Sequence, residues 1–334
     1  MKKNRKLAVL LTTIVLISLV SVFVAQAKGY EVPSLKSKCS DNGSPWYDNT
    51  PVIGVESAFG AELQLLLDQT QNKSVCVING RSFTRGLLAG KQVVLFLSGG
   101  SIYNSALTTQ SAFDHYNIAK LIFSGIAGGI DPSLNIGDVV IGTQSAEYME
   151  LLAARENPDG THAIPPWFQV TQPPFEFFYP QPNFVTKKGG EPDREEAVRW
   201  FPGDPQMVAV AEKAATKVTL NKCGLDTNGN QVCLSTQPVV VSGNLVMGPV
   251  FVDNARFREW VFADFNAQAL AMEEVYHACY VNQKPCLMLR SLSDLAGGGP
   301  GENEIGTFFQ VAANNSAMLV VEIVKELEVS GQEK

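Results

Sequence analysis

Short apolar runs bounded by glycine alternate with longer stretches in which apolar residues recur every three to four positions, from residue 52 almost to the end of the chain. The runs at 52–55, 75–79, 93–97, 121–124, 139–141, 239–241 and 286–289 predict strands. Helical periodicity marks 61–68, 105–116, 205–217, 274–280 and 307–327. This alternation predicts one α/β domain over 52–330, with a mainly mixed central β-sheet flanked by helices. Residues 157–205 break the rhythm, being rich in proline and aromatics such as Pro165-Pro166-Trp167-Phe168 and Phe175-Glu176-Phe177-Phe178-Tyr179-Pro180. A long span without regular structure inside a compact domain usually has a task, so this insertion is expected to be a lid over a binding site or an oligomer contact.

The first residues have a different pattern. Lys2, Lys3, Arg5 and Lys6 precede an apolar stretch over 7–25 that closes on Ala25-Gln26-Ala27, the three parts of a secretory signal peptide. Cleavage after Ala27 and a secreted or periplasmic location are expected; an uncleaved stretch would be an N-terminal membrane anchor. Residues 28–51 are polar and turn-rich, and read as a linker or arm. Export permits disulfides, and the six cysteines are an even number. Cys223 and Cys233 flank Asp226-Thr227-Asn228-Gly229-Asn230, whose Asn-Gly is a hairpin signal, so they are the first expected bridge. Cys39 with Cys76 and Cys279 with Cys286 are the remaining pairs, with reduced buried cysteines as the alternative for the last two.

Composition narrows the function. With 26 basic against 33 acidic residues, the chain carries a net charge of −7 and no basic stripe beyond its start, which argues against a nucleic-acid partner. His115, His162 and His277 are the only histidines and none pairs at ligand spacing. The 226–230 turn lacks the distal acid of a calcium loop. No metal and no cofactor are expected.

In an open α/β sheet ligands bind where strands end. The polar strand ends here are Glu56 and Ser57 before a helix with Glu62, Ser98-Gly99-Gly100, Ser124-Gly125-Ile126-Ala127-Gly128-Gly129, Ser242-Gly243, Met272-Glu273 and Arg290-Ser291-Leu292-Ser293-Asp294. The 124–129 stretch follows a strand, and its small residues and free N–H groups either let a ligand's polar atoms approach the main chain or form only a tight turn packed against the sheet. It is not GxGxxG and has no Walker lysine, so it is not a dinucleotide or triphosphate cradle.

Phe123-Ser124-Gly125-Ile126-Ala127-Gly128-Gly129-Ile130 followed by Asn135-Ile136-Gly137-Asp138-Val139-Val140-Ile141 resembles the GxAGG and GDVVI block of the nucleoside phosphorylase superfamily. Ile53-Gly54-Val55-Glu56-Ser57-Ala58-Phe59-Gly60-Ala61-Glu62 resembles that family's first strand and helix, Ala271-Met272-Glu273 its "ME" segment, and the 290–294 stretch its R-x-x-S-D strand end. The branches most alike are the methylthioadenosine/S-adenosylhomocysteine nucleosidases and the plant bark and vegetative storage proteins.

The resemblance implies cleavage of a purine nucleoside's N-glycosidic bond. Such cleavage needs a proton for the departing base, stabilisation of a ribosyl cation, and a nucleophile on the opposite face. By position, Asp294 is implied as general acid toward N7, steadied by Ser293, and Glu62 as the group that orients or deprotonates water. Glu273 and Met272 are implied at the ribose, Phe251 and Val252 at the base, and Gly125, Ala127 and Gly128 at the substrate. Each residue also has a structural alternative. Asp294 suits a turn cap, Glu62 a solvated helix acid, and Glu273, beside Glu274, an exposed helix start. Met272 suits a core position, and Arg290, inside its strand, suits a structural pair with a carboxylate.

Relatives that use phosphate commonly supply an arginine just before the glycine-rich stretch, where this chain has Phe123 and Ser124. Water is therefore favoured over phosphate, unless Arg81 or Arg85 arrives from elsewhere. A storage protein on the same scaffold is the other reading, because Ala271 and the bulky Glu274-Val275-Tyr276 depart from the pattern. A nucleoside-binding protein without turnover would need no Asp294. Relatives commonly form dimers or trimers, so a homo-oligomer is expected.

Overall fold

The computed structural model describes residues 48–170 and 172–329; residues 1–47, with the expected signal peptide, most of the expected arm and Cys39, lie outside this range. The principal strands are β1 (Asp48–Ser57), β2 (Gln71–Ile78), β3 (Arg81–Leu88), β4 (Lys91–Leu97), β5 (Tyr116–Gly129), β6 (Val139–Glu147), β7 (Val240–Met247), β8 (Ala269–Ala271) and β9 (Cys286–Asp294). The helices are α1 (Gly60–Gln69), α2 (Ile102–His115), α3 (Pro205–Ala215), α4 (Ala255–Phe265), α5 (Tyr276–Asn282) and α6 (Ile305–Glu326). The sheet is mixed, as the alternation predicts.

β5 organises it. Its first half pairs in parallel with β1, its second half in parallel with β9, and its last residues antiparallel with β8. From β9 the ladder continues antiparallel to β6, then parallel to β7 and β8. The path β5–β9–β6–β7–β8 thus returns to β5 and closes a ring, while β4, β3 and β2 extend outward from β1. Closure leaves the ring without a free edge and buries all nine residues of β9. The helix α6 is long and apolar enough to span a membrane, but it is mostly buried against β9 and β5 as a core helix.

Several expectations change. The 124–129 stretch is not a turn; it is the continuation of β5, held extended because β9 and β8 supply ladder partners. Strand β3, strand β8 and helix α4 were not predicted, and α2 starts at Ile102 rather than at 105. β1 begins at Asp48, inside the segment read as an arm, where Asp48 faces Tyr116 and ion-pairs with Arg85. The insertion at 157–205 is not structureless. It forms small antiparallel pairs, 155–156 with 162–163, 151–153 with 178–180, and 183–185 with 196–198. It docks on α4 through Phe175 against Phe257 and Trp260, Trp260 Nε1 donating to Pro173 O, and the Arg199–Asp264 ion pair. Disulfides join Cys223 to Cys233 across a hairpin and Cys279 to Cys286; the proposed partner of Cys76, Cys39, lies outside the described residues.

Candidate active site

Glu62 occupies the third position of α1 and reaches back to its start. Its Oε2 accepts from the N–H groups of Ala58 (2.8 Å) and Phe59 (2.9 Å), two donors that a helix start leaves unpaired. Its Oε1 accepts from Ile126 N–H (2.8 Å), which ties α1 to the end of β5. The residue is 1% exposed, so it is not a solvated helix acid. Burial first, then the neighbouring Glu273 carboxylate, push its pKa up to about 7, against the pull of the N–H donors. Those three donors fix the carboxylate's orientation while burial brings its titration to neutrality.

Glu273 follows β8 and Met272, which is half-buried. Its Oε2 lies 3.1 Å from Arg290 Nη1, and its Oε1 accepts from Ser101 N–H at the start of α2 (3.3 Å). Arg290 is wholly buried, donates also to the main-chain oxygens of Glu273 (2.6 Å) and Ile126 (3.2 Å), and stacks over Phe123 at 4.2 Å. The expected carboxylate pairing of Arg290 is observed. The helix-start role foreseen for Glu273 belongs instead to Glu274, whose Oε1 accepts from the N–H of Tyr276 (2.6 Å) and His277 (3.3 Å). Glu273 is thereby left facing the arginine.

Gly125 lies between these groups. A Cβ there would sit 2.9 Å from both Glu62 Oε1 and Arg290 Nη1, so only glycine lets the two side chains approach β5 this closely. At the same strand end, Ser293 Oγ lies 2.8 Å from Asp294 Oδ2 and 3.3 Å from Ala127 O. Asp294 Oδ1 accepts from Ala296 N–H (2.8 Å) and from Asn303 Nδ2 (3.3 Å), and packs beside Gly128. Burial raises the Asp294 pKa above the usual range, with Glu304 adding to the shift and the hydrogen bonds opposing it. Asp294 does close a tight turn through Ala296, as its capping alternative foresees.

Glu62, Glu273, Arg290, Ser293, Asp294, Gly125, Ala127 and Gly128 thus gather around the end of β5. Val252 is buried in one apolar cluster with Ile130 and Ala296, next to the turn that follows Asp294, whereas Phe251 is 53% exposed. Two further groups received no role in the sequence reading, the part-buried Asn303 and the buried strand-end acid Glu56. Asn303 belongs to a glycine-rich loop and left no periodic signal. Glu56, an acid inside an apolar strand, is fully buried; it accepts from Thr109 Oγ1 (2.7 Å), and burial pushes its pKa to about 8. No cluster of histidine, cysteine or acidic side chains suited to a metal occurs among the described residues.

Comparison with known proteins agrees with this architecture. A methylthioadenosine/S-adenosylhomocysteine nucleosidase of Psychromonas ingrahamii is 28% identical over 276 residues, covering 82% of this chain and 99% of that protein. The crystal structure of the corresponding Neisseria meningitidis nucleosidase, in complex with methylthio-immucillin-A, superposes with a TM-score of 0.61 at 26% identity, covering 83% of this chain and 99% of that one. Futalosine hydrolase of Helicobacter pylori shares the fold, with a TM-score of 0.60 at 21% identity and coverage of 83% and 98%. The family model described as the phosphorylase superfamily matches residues 52–325, and the chain belongs to that superfamily.

Proposed function

We propose that this protein hydrolyses the N-glycosidic bond of a purine nucleoside, with a methylthioadenosine- or S-adenosylhomocysteine-like molecule as substrate. The observation that carries this reading is the placement of two buried carboxyls, in different polar surroundings, along one strand end. Glu62 is held at Ile126 and Asp294 is linked through Ser293 to Ala127. The names of the relatives from Psychromonas ingrahamii and Neisseria meningitidis support the substrate class.

Bond cleavage leaves negative charge on the base and positive charge on the sugar. Asp294, its pKa raised by burial, holds a proton for the base nitrogen. Ser293 has one hydroxyl proton and two acceptors, Ala127 O and Asp294 Oδ2. It turns to Ala127 while Asp294 is protonated and back to Oδ2 once the proton has gone, stabilising the new carboxylate. Glu62, titrating near 7, accepts a proton from water on the opposite face of the sugar. Glu273, fixed by Arg290 and Ser101, meets the ribose hydroxyls, with Met272 against the sugar.

Water is the nucleophile on electrostatic grounds. Arg85 is paired with Asp48, Arg81 donates to Leu97 O and Asn104, and Arg290 is committed to Glu273. A phosphate ion beside Glu62 and Glu273 would meet repulsion. The signal-peptide pattern and the disulfides support action after export. Tyr103 and Leu107, one turn apart and largely exposed on the helix that contacts Glu273, support a homo-oligomer.

The test is release of adenine from methylthioadenosine by the purified protein in phosphate-free buffer. Asp294→Asn is expected to abolish release while still binding the nucleoside. Absence of release from any nucleoside, or a strict requirement for phosphate, overturns the reading.

A further inference from the structure

The loop that follows Asp294 runs through Gly297, Gly298, Gly299 and Gly301 before α6 begins, and Asn303 stands at its end. The Asn303 side-chain oxygen accepts from Ile305 N–H at 3.0 Å. This contact decides which end of the amide is the NH2 group, because the helix start offers a donor and requires the oxygen. The NH2 end then faces two carboxylates, with Nδ2 3.3 Å from Asp294 Oδ1 and 3.1 Å from Asp253 Oδ1. One nitrogen with two hydrogens serves both acids.

We propose that Asn303 is a positioning residue that directs the acid's proton to Oδ2 of Asp294 and locks this acid to the 251–254 segment, whose Phe251 and Val252 the resemblance implies at the base. The inference rests on the assignment of Asp294 as general acid. Oδ1 receives two N–H donors, from Ala296 and Asn303, and a proton on that oxygen would face both of them. Oδ2, whose polar neighbour is the rotatable Ser293 hydroxyl, is left to carry it. The lock to 251–254 has a second contact in Asn254 N–H donating to Ala296 O at 3.1 Å. Gly297, with φ +86°, passes so near that an added Cβ would lie 2.4 Å from Asn254 N. The acid and the 251–254 segment are thereby held together, with Asn303 as the side chain that touches both Asp294 and Asp253.

The experiment compares the full chain with Asn303→Ala, Asn303→Asp and Asp253→Ala. It follows the Asp294 carboxyl by NMR of 13C-labelled aspartate, the resonance being assigned by its loss in Asp294→Asn. A donor to a carboxylate stabilises its charged form, so Asp294 is expected to titrate higher in Asn303→Ala and higher still in Asn303→Asp. For methylthioadenosine hydrolysis, Asn303→Ala should lower kcat/KM about tenfold and move the alkaline limb of its pH profile upward. Asp253→Ala should raise KM and leave the titration of Asp294 in place. A purely structural role would lower the melting temperature without moving the titration. An Asp294 titration unchanged in both Asn303 variants overturns the proposal. A wild-type protein that releases no base would sink the proposed reaction, and the substrate-free titration would still decide the role of Asn303. Should Asn303→Ala not fold, Asn303→Ser, able to cap Ile305 but too short to reach Asp294, gives the same readout.

Discussion

Arg290 and Glu273 form an ion pair shielded from water on both sides, with Nη1 and Oε2 3.1 Å apart and side-chain exposures of 0% and 6%. Desolvating two charges is costly, and here it is offset by a network in which the guanidinium also meets two main-chain oxygens and the Phe123 ring. Removing one partner would strand the other. Arg290→Leu is expected to lower stability by about 3–5 kcal/mol in urea unfolding, well beyond an ordinary surface substitution.

In the proposed mechanism, Glu62 sets the acid limb of activity. A group that accepts a proton from water must be ionised, and its pKa in the folded protein is about 7. Turnover should therefore rise as pH increases through 7. Glu62→Gln keeps the shape but cannot take the proton. A rate loss on the order of 10²–10⁴-fold is expected in steady-state assays, and an unchanged rate would remove Glu62 from the chemistry.

Glu56 links stability to pH. Its pKa rises from 4.5 to about 8 on folding, so the native state binds the extra proton between these values. Its contribution is fully present below pH 4.5 and is lost as pH rises through 8, when a charge must be held in a buried place. Glu56→Gln, neutral throughout, should match the wild type near pH 5 and exceed it near pH 8.5. Urea midpoints at the two pH values measure the difference.

Gly125→Ala probes the closest approach in the site. The added methyl would stand 2.9 Å from Glu62 Oε1 and Arg290 Nη1, and neither side chain has room to withdraw without breaking a buried contact. A stability loss of about 1–3 kcal/mol is expected, together with a fall in kcat, read by thermal unfolding and kinetics on the same preparation.

The Cys223–Cys233 bridge closes a short hairpin that leans on α6, with Thr227 Oγ1 donating to Gly306 O. Replacing both cysteines by serine should cost roughly 2–3 kcal/mol through the loop entropy returned to the unfolded chain, measured by urea unfolding under non-reducing conditions.

Local patterns carried the parts of the fold that depend on local geometry. Seven apolar runs marked strands because a buried strand needs an apolar stretch, and the Asn-Gly between Cys223 and Cys233 marked a hairpin because that dipeptide suits its turn. β8 escaped because three residues have no readable period, and β3 because Arg81, Ser82, Thr84 and Arg85 interrupt its apolar face. Asn303 could not be seen at all, since its partners Asp253 and Asp294 meet it only across a loop.

By itself the sequence determined the α/β class and the gathering of acids at strand ends, with Ser293 and Asp294 adjacent and Gly125 beside small residues. These follow from residue order and side-chain size. Tertiary structure decided that β5 runs on through Gly129 and closes a ring, that Glu274 takes the helix start and frees Glu273 for Arg290, and that Phe251 stands in solvent. It also decided that Glu62 titrates near 7. Strand pairing depends on partners far apart in the chain, and a pKa shift depends on how much water is excluded; neither quantity exists until the chain has packed.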